Sequence, residues 1–386
     1  MTTLLNGIKV LELSRTLAGP FAGHILADMG ADVLKIEQPG TGDESRGFTP
    51  PEYEGTSCYF HAVNRNKRSL ALDLKNPEDL KVLYSLVEDA DIVTESYRTG
   101  VAERLGVDYT TLSEINPSLI YLSVSGYGRT GSRASWPAYD IVMQAETGLM
   151  SMTGTEDGEL VKIGPSIADV STGLYGATGL LGALFERERS GQGQYIDVAM
   201  YDAQFGVMAN WLLATVATGQ APKPMGVGNP ALAPYQTVRT SDGTYMLGVG
   251  NNSHWARFRR ALDLSDLADD ARFATNDLRV AHRPELIAGI EDRTQTLSSG
   301  ELDDLLKQAG VPGSPVNTLS DVLDDPFSSE RGILQDLDGH EGTKAVKFPV
   351  AFSRTPVSEY RRAPELDSSR PTWLTEADEA RVSVRN

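Results

Sequence analysis

The chain has 386 residues, enough for a large domain and a smaller one. Hydrophobic residues make up 40% and charged residues 23%, a globular balance that excludes a disordered or fibrous chain. A formal charge of −18 opposes nucleic acid as a partner, because binding a phosphate backbone needs clustered Lys and Arg.

The lone cysteine, Cys58, excludes an internal disulfide framework and leaves too few thiolates for a zinc ribbon or iron–sulfur cluster. The opening MTTLLNGIKVLELSR lacks the basic start, long apolar run and cleavage site of a secretory leader. Apolar stretches such as 174–185 are broken by glycines and shorter than the roughly 20 residues of a membrane span. The expectation is a soluble, cytoplasmic protein with no membrane partner. Ten lysines stand beside 25 arginines, and an acidic surface of that kind suits a salt-rich cytoplasm.

Along the chain, residues 8–13 read as a strand, Ala18-Gly19-Pro20 as a loop, 21–29 as a helix and 32–36 as a second strand. A glycine-rich loop (40–47), a strand (69–74), a helix (77–88) and strands at 91–94 and 119–124 follow. Strands alternating with helices imply an α/β fold with an open, mostly parallel sheet covered on both faces. From 169 to 187 small residues recur at helical spacing, stopped by Ser190-Gly-Gln-Gly193 before a strand at 194–199. The Pro/Gly-rich passage 219–234 marks the domain boundary, and a hairpin around Ser241-Asp-Gly243 opens a smaller α+β domain. The expected division is 1–220, 225–325, and a segment 330–386 that returns to the large domain.

Gly126-x-Gly128-x-x-Gly131 follows a strand as a dinucleotide fingerprint would, but Ser132-Arg-Ala-Ser-Trp-Pro137 is poor helix-starting sequence where the third glycine should open a helix. The five histidines have no metal-ligand spacing, so no metal site is expected, and His24 in an apolar helical pattern reads as a packed residue. Asp169 lies in Gly164-Pro-Ser-Ile-Ala-Asp169-Val-Ser-Thr-Gly173 at the start of the small-residue helix, where an aspartate is most often an N-cap.

Several stretches in order change the weight of Asp169. They are Leu17-Ala-Gly-Pro20, Gly30-Ala-Asp-Val-Leu-Lys-Ile-Glu37, Gly40-Thr-Gly-Asp43 with Arg46-Gly47, Asn64-Arg-Asn-Lys-Arg-Ser69, Tyr139-Asp140, and Gly191-Gln-Gly193 leading to Asp197-Val-Ala-Met-Tyr-Asp202. Together they resemble the family III CoA-transferases over nearly the whole chain. The resemblance implies a Rossmann-like large domain, a homodimer of interlocked chains, and Asp169 as the nucleophile. It implies a coenzyme A thioester as substrate, small carboxylic acids as the other partners, and no tightly bound cofactor.

By the same resemblance, CoA is held by Arg15, Thr16, Leu17, Ala18, Gln38, Leu72, Asp73, Lys75, Ser96, Tyr97, Arg98, Val101, Arg104, Leu105, Tyr139 and Asp140. The acyl substrate falls to Tyr59, Arg46, Gly248, Gly250 and Asn251, with Arg46 or Arg15 reading a distal carboxylate. Tyrosine at 139, where the racemase branch has histidine, favours transfer over racemisation. Leu17 where formyl-CoA transferase has glutamine, with no tetraglycine loop, argues against a formate and oxalate pair. The segments Pro234-Tyr-Gln-Thr, 248–252 and Thr275-Asn-Asp-Leu-Arg-Val280 look closest to relatives that use succinyl-CoA and a dicarboxylate. An NAD-dependent oxidoreductase and a non-catalytic CoA-binding protein are the rival readings.

Overall fold

A computed structural model describes residues 3–53 and 55–368. The described chain divides into two units. The first takes the chain through Leu149, then Lys162–Ala221, then the part from Gly332 onward; the second takes Met150–Val161 and Pro222–Arg331.

Six strands build the sheet of the first unit: β1 (Lys9–Glu12), β2 (Asp32–Glu37), β3 (Arg68–Ala71), β4 (Ile92–Glu95), β5 (Ile120–Ser125) and β6 (Tyr195–Ala199). Their order is β3-β2-β1-β4-β5-β6 and every neighbouring pair is parallel. Successive side chains on a strand face opposite ways, so adjacent apolar residues feed two cores. Leu11, Leu34, Val93 and Tyr121 pack under α3 (Pro77–Glu88) with Val82, Leu83 and Leu86. Their neighbours Val10, Val33, Ile92 and Ile120 pack on the other face against α1 (Ala18–Asp28) and α7 (Ile167–Ser190), through Ala22, Leu26, Ala177 and Leu180. Shorter helices complete the connections: α2 (Cys58–Asn64), α4 (Val101–Leu105), α5 (Tyr109–Ile115) and α6 (Asp140–Glu146). After β6 come α8 (Met200–Val207) and α9 (Ala209–Thr218).

α3 occupies the predicted residues 77–88, with Pro77 in its first turn and the Asn76 side chain accepting from the Glu78 N–H. α1 starts at Ala18, three residues before the predicted helix at 21. Gly19 and Pro20 read as loop formers, but the first N–H groups of a helix have no partner within it, so a proline there loses nothing. Gly173 and Gly176 of α7 have the packing role expected of them, while Gly182 faces open space. A Cβ at Gly173 would lie 2.8 Å from the Ala18 carbonyl oxygen, and one at Gly176 would lie 3.2 Å from the Leu122 side chain. The helices α1 and α7 therefore meet at backbone distance.

In the second unit, β7 (Thr237–Arg239), β8 (Thr244–Leu247) and β9 (Gly313–Pro315) form an antiparallel sheet in the order β9-β8-β7. Val238, Tyr245 and Leu247 pack with Trp255 and Phe258 of α10 (Asn252–Ala261), Leu286 and Ile290 of α11 (Arg283–Thr294), and Leu302 and Leu306 of α12 (Ser299–Ala309). The chain then forms a two-stranded ladder, β10 (Leu334–Leu337) with β11 (His340–Val346), and Phe348 enters the α1/α7 core of the first unit. Among the described residues no helix is long and apolar enough to cross a membrane.

Candidate active site

Strand order reverses between β1 and β4, the place where open α/β sheets open a crevice at the carboxyl ends of their strands. A cleft of about 700 Å³ lies there. Its walls are Arg15, Thr16, Leu17 and Ala18 after β1, Ser96, Tyr97 and Arg98 after β4, Ser125, Gly126 and Arg129 around the end of β5, and Met200 after β6. Tyr59, Tyr139, Asp140, Lys162 and Asp169 also face it. A smaller hollow of about 100 Å³ follows β2 and β3, lined by Gln38, Leu72, Asp73, Lys75 and Leu105, and it shares Arg15 and Tyr97 with the larger cleft.

The sequence-derived residues thus fall into these two hollows, with exceptions. Val101 and Arg104 lie on α4 and line neither, Arg104 being exposed. The Arg46 guanidinium is engaged elsewhere. It pairs with both oxygens of Glu37 at 2.9 and 2.7 Å, donates to the Pro364 carbonyl, and stacks on Phe60 at 3.9 Å. Of the two arginines considered for a distal carboxylate, Arg15 is the one in the cleft. Gly248, Gly250 and Asn251 belong to the second unit, in the turn between β8 and α10, where the Asn251 side chain caps α10 by accepting from the His254 N–H at 2.8 Å.

The loop after β1 is fixed from beneath by buried charge. Lys35 reaches Glu12 at 3.1 Å, Asp43 at 2.9 Å and the Ser14 carbonyl at 2.9 Å. Lys67 donates to both Glu12 oxygens and to the Pro20 carbonyl. Asp43 accepts from the N–H of Thr16, a residue held at φ +70°. Burial tends to raise the Asp43 carboxyl, but Lys35 and the Ser45 donors outweigh it and hold the group at about 2. Gly23 of α1 makes room for the Glu12 carboxylate: a Cβ there would sit 1.9 Å from Glu12 Oε2. Glu12, Lys35 and Lys67 were not recognised in the sequence as parts of the site. A charged residue recurring inside otherwise apolar strands was the available signal.

Asp169 is the third residue of α7, and the cap position belongs to Ser166, whose side chain makes no capping bond. The N-cap reading of Asp169 therefore fails. Another residue does that work: Asp140 Oδ1 accepts from the Ala168 N–H at 2.7 Å. Among the described residues no hydrogen bond or ion pair reaches the Asp169 carboxylate. Burial first, and the nearby Asp140 charge second, push its pKa up to about 7. Tyr59 lies beside it and is pushed up to about 12, mainly by burial and next by Asp169, so its hydroxyl stays protonated at neutral pH and can donate a hydrogen bond. A carboxylate without partners at the rim of a cleft can attack an electrophilic carbonyl once ionised. Transfer measured as kcat/KM is expected to rise tenfold per pH unit below about 7 and level off above it. A profile flat from pH 5 to 9 would contradict this assignment.

Gly126, Gly128 and Gly131 form a turn after β5, and the next helix, α6, begins only at Asp140. A Cβ at Gly126 would lie 2.2 Å from the Ala138 Cβ, so close chain packing accounts for that glycine rather than a pyrophosphate. Arg129, within the same turn, was missed. It bridges Glu95, Ser123 and the Tyr97 carbonyl at 2.6 to 2.7 Å and so ties the ends of β4 and β5 together. His24 is buried, 3.6 Å from Asp28, and burial pushes its pKa well down, as suits a neutral packed imidazole.

The sequence model of CoA-transferase family III matches residues 5–370. The chain belongs to that family. This family III transferase is 39% identical to the succinate–glutarate CoA-transferase of Agrobacterium fabrum, over 97% of this chain and 96% of the relative. It is also 39% identical to the succinyl-CoA:mesaconate CoA-transferase of Haloarcula hispanica, over the same shares of the two chains. Among solved structures, a CAIB/BAIF family protein from Brucella suis superposes with a TM-score of 0.86 at 41% identity, covering 95% of this chain and 97% of that one. The transferase thus shares its fold with solved relatives.

Proposed function

We propose that this transferase moves CoA from succinyl-CoA to a small dicarboxylic acid of the glutarate, mesaconate, itaconate or citramalate type. The observation that carries the reading is the Asp169 carboxylate in the strand-end cleft, unbonded among the described residues, in a chain whose relatives are named succinyl-CoA:glutarate and succinyl-CoA:mesaconate CoA-transferases.

In the proposed reaction, an Asp169 oxygen attacks the thioester carbonyl, the C–S bond breaks, and CoA leaves as thiolate. The thiolate attacks the aspartyl carbonyl of the mixed anhydride, which releases succinate and leaves an aspartyl–CoA thioester. The acceptor carboxylate displaces CoA again, and thiolate attack on the acceptor's acyl carbon restores Asp169. No net proton moves. The Tyr59 hydroxyl and backbone N–H groups at the cleft would stabilise each oxyanion. Arg15 and Lys75 would meet CoA phosphates across the two hollows, and Arg15 would compete for the distal carboxylate.

We also read the working form as a homodimer of interlocked chains. The supporting feature is α9, which buries no residue and leaves Leu213 68% and Val216 75% exposed, an apolar face that a second copy would cover. The single cysteine, which leaves no internal disulfide to form, suits the cytoplasm.

The test is intact mass after mixing with succinyl-CoA, acid quench and borohydride reduction, with glutarate and mesaconate screened as acceptors. A labile adduct on Asp169, absent in Asp169→Ala, is expected; no adduct with any acyl-CoA donor would return the chain to a CoA-binding role. Light scattering on the same sample should give twice the 41.7 kDa chain mass, and a monomer would refute the dimer.

A further inference from the structure

Asp169 can act as a nucleophile only if something other than its own carboxylate satisfies the start of α7. An acidic side chain in the first turn ordinarily bonds free N–H groups there, which would hold Asp169 back. The structure supplies the substitute from α6. Asp140 Oδ1 takes the Ala168 N–H at 2.7 Å, and Asp140 Oδ2 accepts from Gln144 Nε2 at 2.7 Å. Gln144 Oε1 in turn accepts the Ile163 N–H at 2.9 Å. Gln144 is completely buried; it holds Ile163 directly and Ala168 through Asp140, one at each side of the stretch that delivers Asp169. Met143 of α6 packs against Ala168 and Met200 on the apolar side of the same joint.

We propose that Gln144 is a positioning residue for CoA transfer: with Asp140 it clamps residues 163–168, caps α7 in place of Asp169, and keeps the Asp169 carboxylate aimed into the cleft without a hydrogen bond. It never touches substrate. Its amide orients Asp140, and Asp140 sets both the helix start and the negative charge facing Asp169. Tyr59 faces the same carboxylate from α2, and Arg15, Glu44, Arg98 and Lys162 line the cleft around it. The Lys162 ammonium bonds the carbonyls of Ile163 and Gly164, so it braces the same stretch.

The inference rests on the reading of Asp169 as nucleophile, which the trapping experiment decides independently. The test compares Gln144→Leu and Gln144→Glu with the wild-type enzyme by kcat, KM and the pH dependence of kcat/KM. In Gln144→Leu the clamp opens and Asp169 can bond its own helix end. The expected result is a 10- to 100-fold lower kcat, KM for acyl-CoA within about threefold, and a pH midpoint lowered by about one unit. Gln144→Glu keeps the acceptor for Ile163 but adds charge beside Asp140, so kcat falls and the midpoint moves upward instead. Opposite movement of the two midpoints would support the clamp. A trapped adduct in the wild type together with unmoved midpoints in both variants would overturn it, even if both variants melt lower, because loss of packing alone does not retitrate Asp169. Should Gln144→Leu fail to fold, the isosteric Gln144→Glu decides the matter.

Discussion

Replacing Asp169 by asparagine is expected to lower CoA transfer by about 10³-fold or more while making the folded protein more stable above neutral pH. The first effect follows from losing the attacking oxygen. The second follows from the sign of the titration. The carboxyl is raised from 3.8 to about 7, so the folded state prefers it protonated. Its contribution to stability is full below its unfolded value and is lost as pH rises through about 7. At pH 8 the wild type carries that burden and the amide does not. The shift is worth at most about 4 kcal/mol, and solvent at the cleft mouth should cut the gain to about 1–3 kcal/mol. Thermal melts at pH 5 and pH 8 would show the two proteins converging at the lower pH. A variant that is inactive and less stable at both values would mean that Asp169 supports the fold after all.

Glu12→Gln is expected to give the largest loss of stability. The side chains of Glu12, Lys35 and Lys67 are wholly buried, and Glu12 is the carboxylate common to both ammonium groups. Burial already holds Lys67 down to about 8 despite that partner. Removing one member of a buried ionic cluster leaves charge uncompensated, at a cost of about 3–5 kcal/mol. A melting temperature about 5–10 °C lower is the corresponding readout. KM for acyl-CoA should rise as well, because Lys35 and Lys67 hold the carbonyls of Ser14 and Pro20 on either side of the loop Arg15–Ala18. Adding Lys67→Met to Glu12→Gln removes a positive charge with the negative one and should recover part of the loss. An unchanged melting temperature in Glu12→Gln would show that water reaches the cluster.

The large sheet was legible because its signal is local. Parallel strands buried on both faces are short apolar runs, and the glycine and proline punctuation between them falls where the chain turns. Asp169 was legible only through the family likeness, since by spacing alone it reads as a cap. What excludes that reading is Asp140, 29 positions earlier, and no periodicity in either segment reports that two helix starts share a hydrogen bond. Gln144 was invisible for the same reason: a polar residue on a short helix looks solvent-facing until the partner N–H of Ile163 is folded over it. Arg46 shows the converse failure. A cation near a glycine-rich loop looks available for a ligand, but Glu37, nine residues away, takes its Nε and one of its Nη groups.

The segment from Gly332 onward has a bearing on how the protein is made. It gives Phe348 to the core beneath α1 and α7, and Arg361 donates to the Asn66 side-chain oxygen at 2.7 Å and to the Asn66 carbonyl at 3.2 Å. The first unit is therefore stitched from segments that lie on either side of Pro222–Arg331 of the second unit. During synthesis the parallel sheet can assemble early, but its core stays open on the side of Phe348 until the segment that carries Phe348 leaves the ribosome. Through that interval the nascent chain exposes apolar surface of the kind chaperones bind.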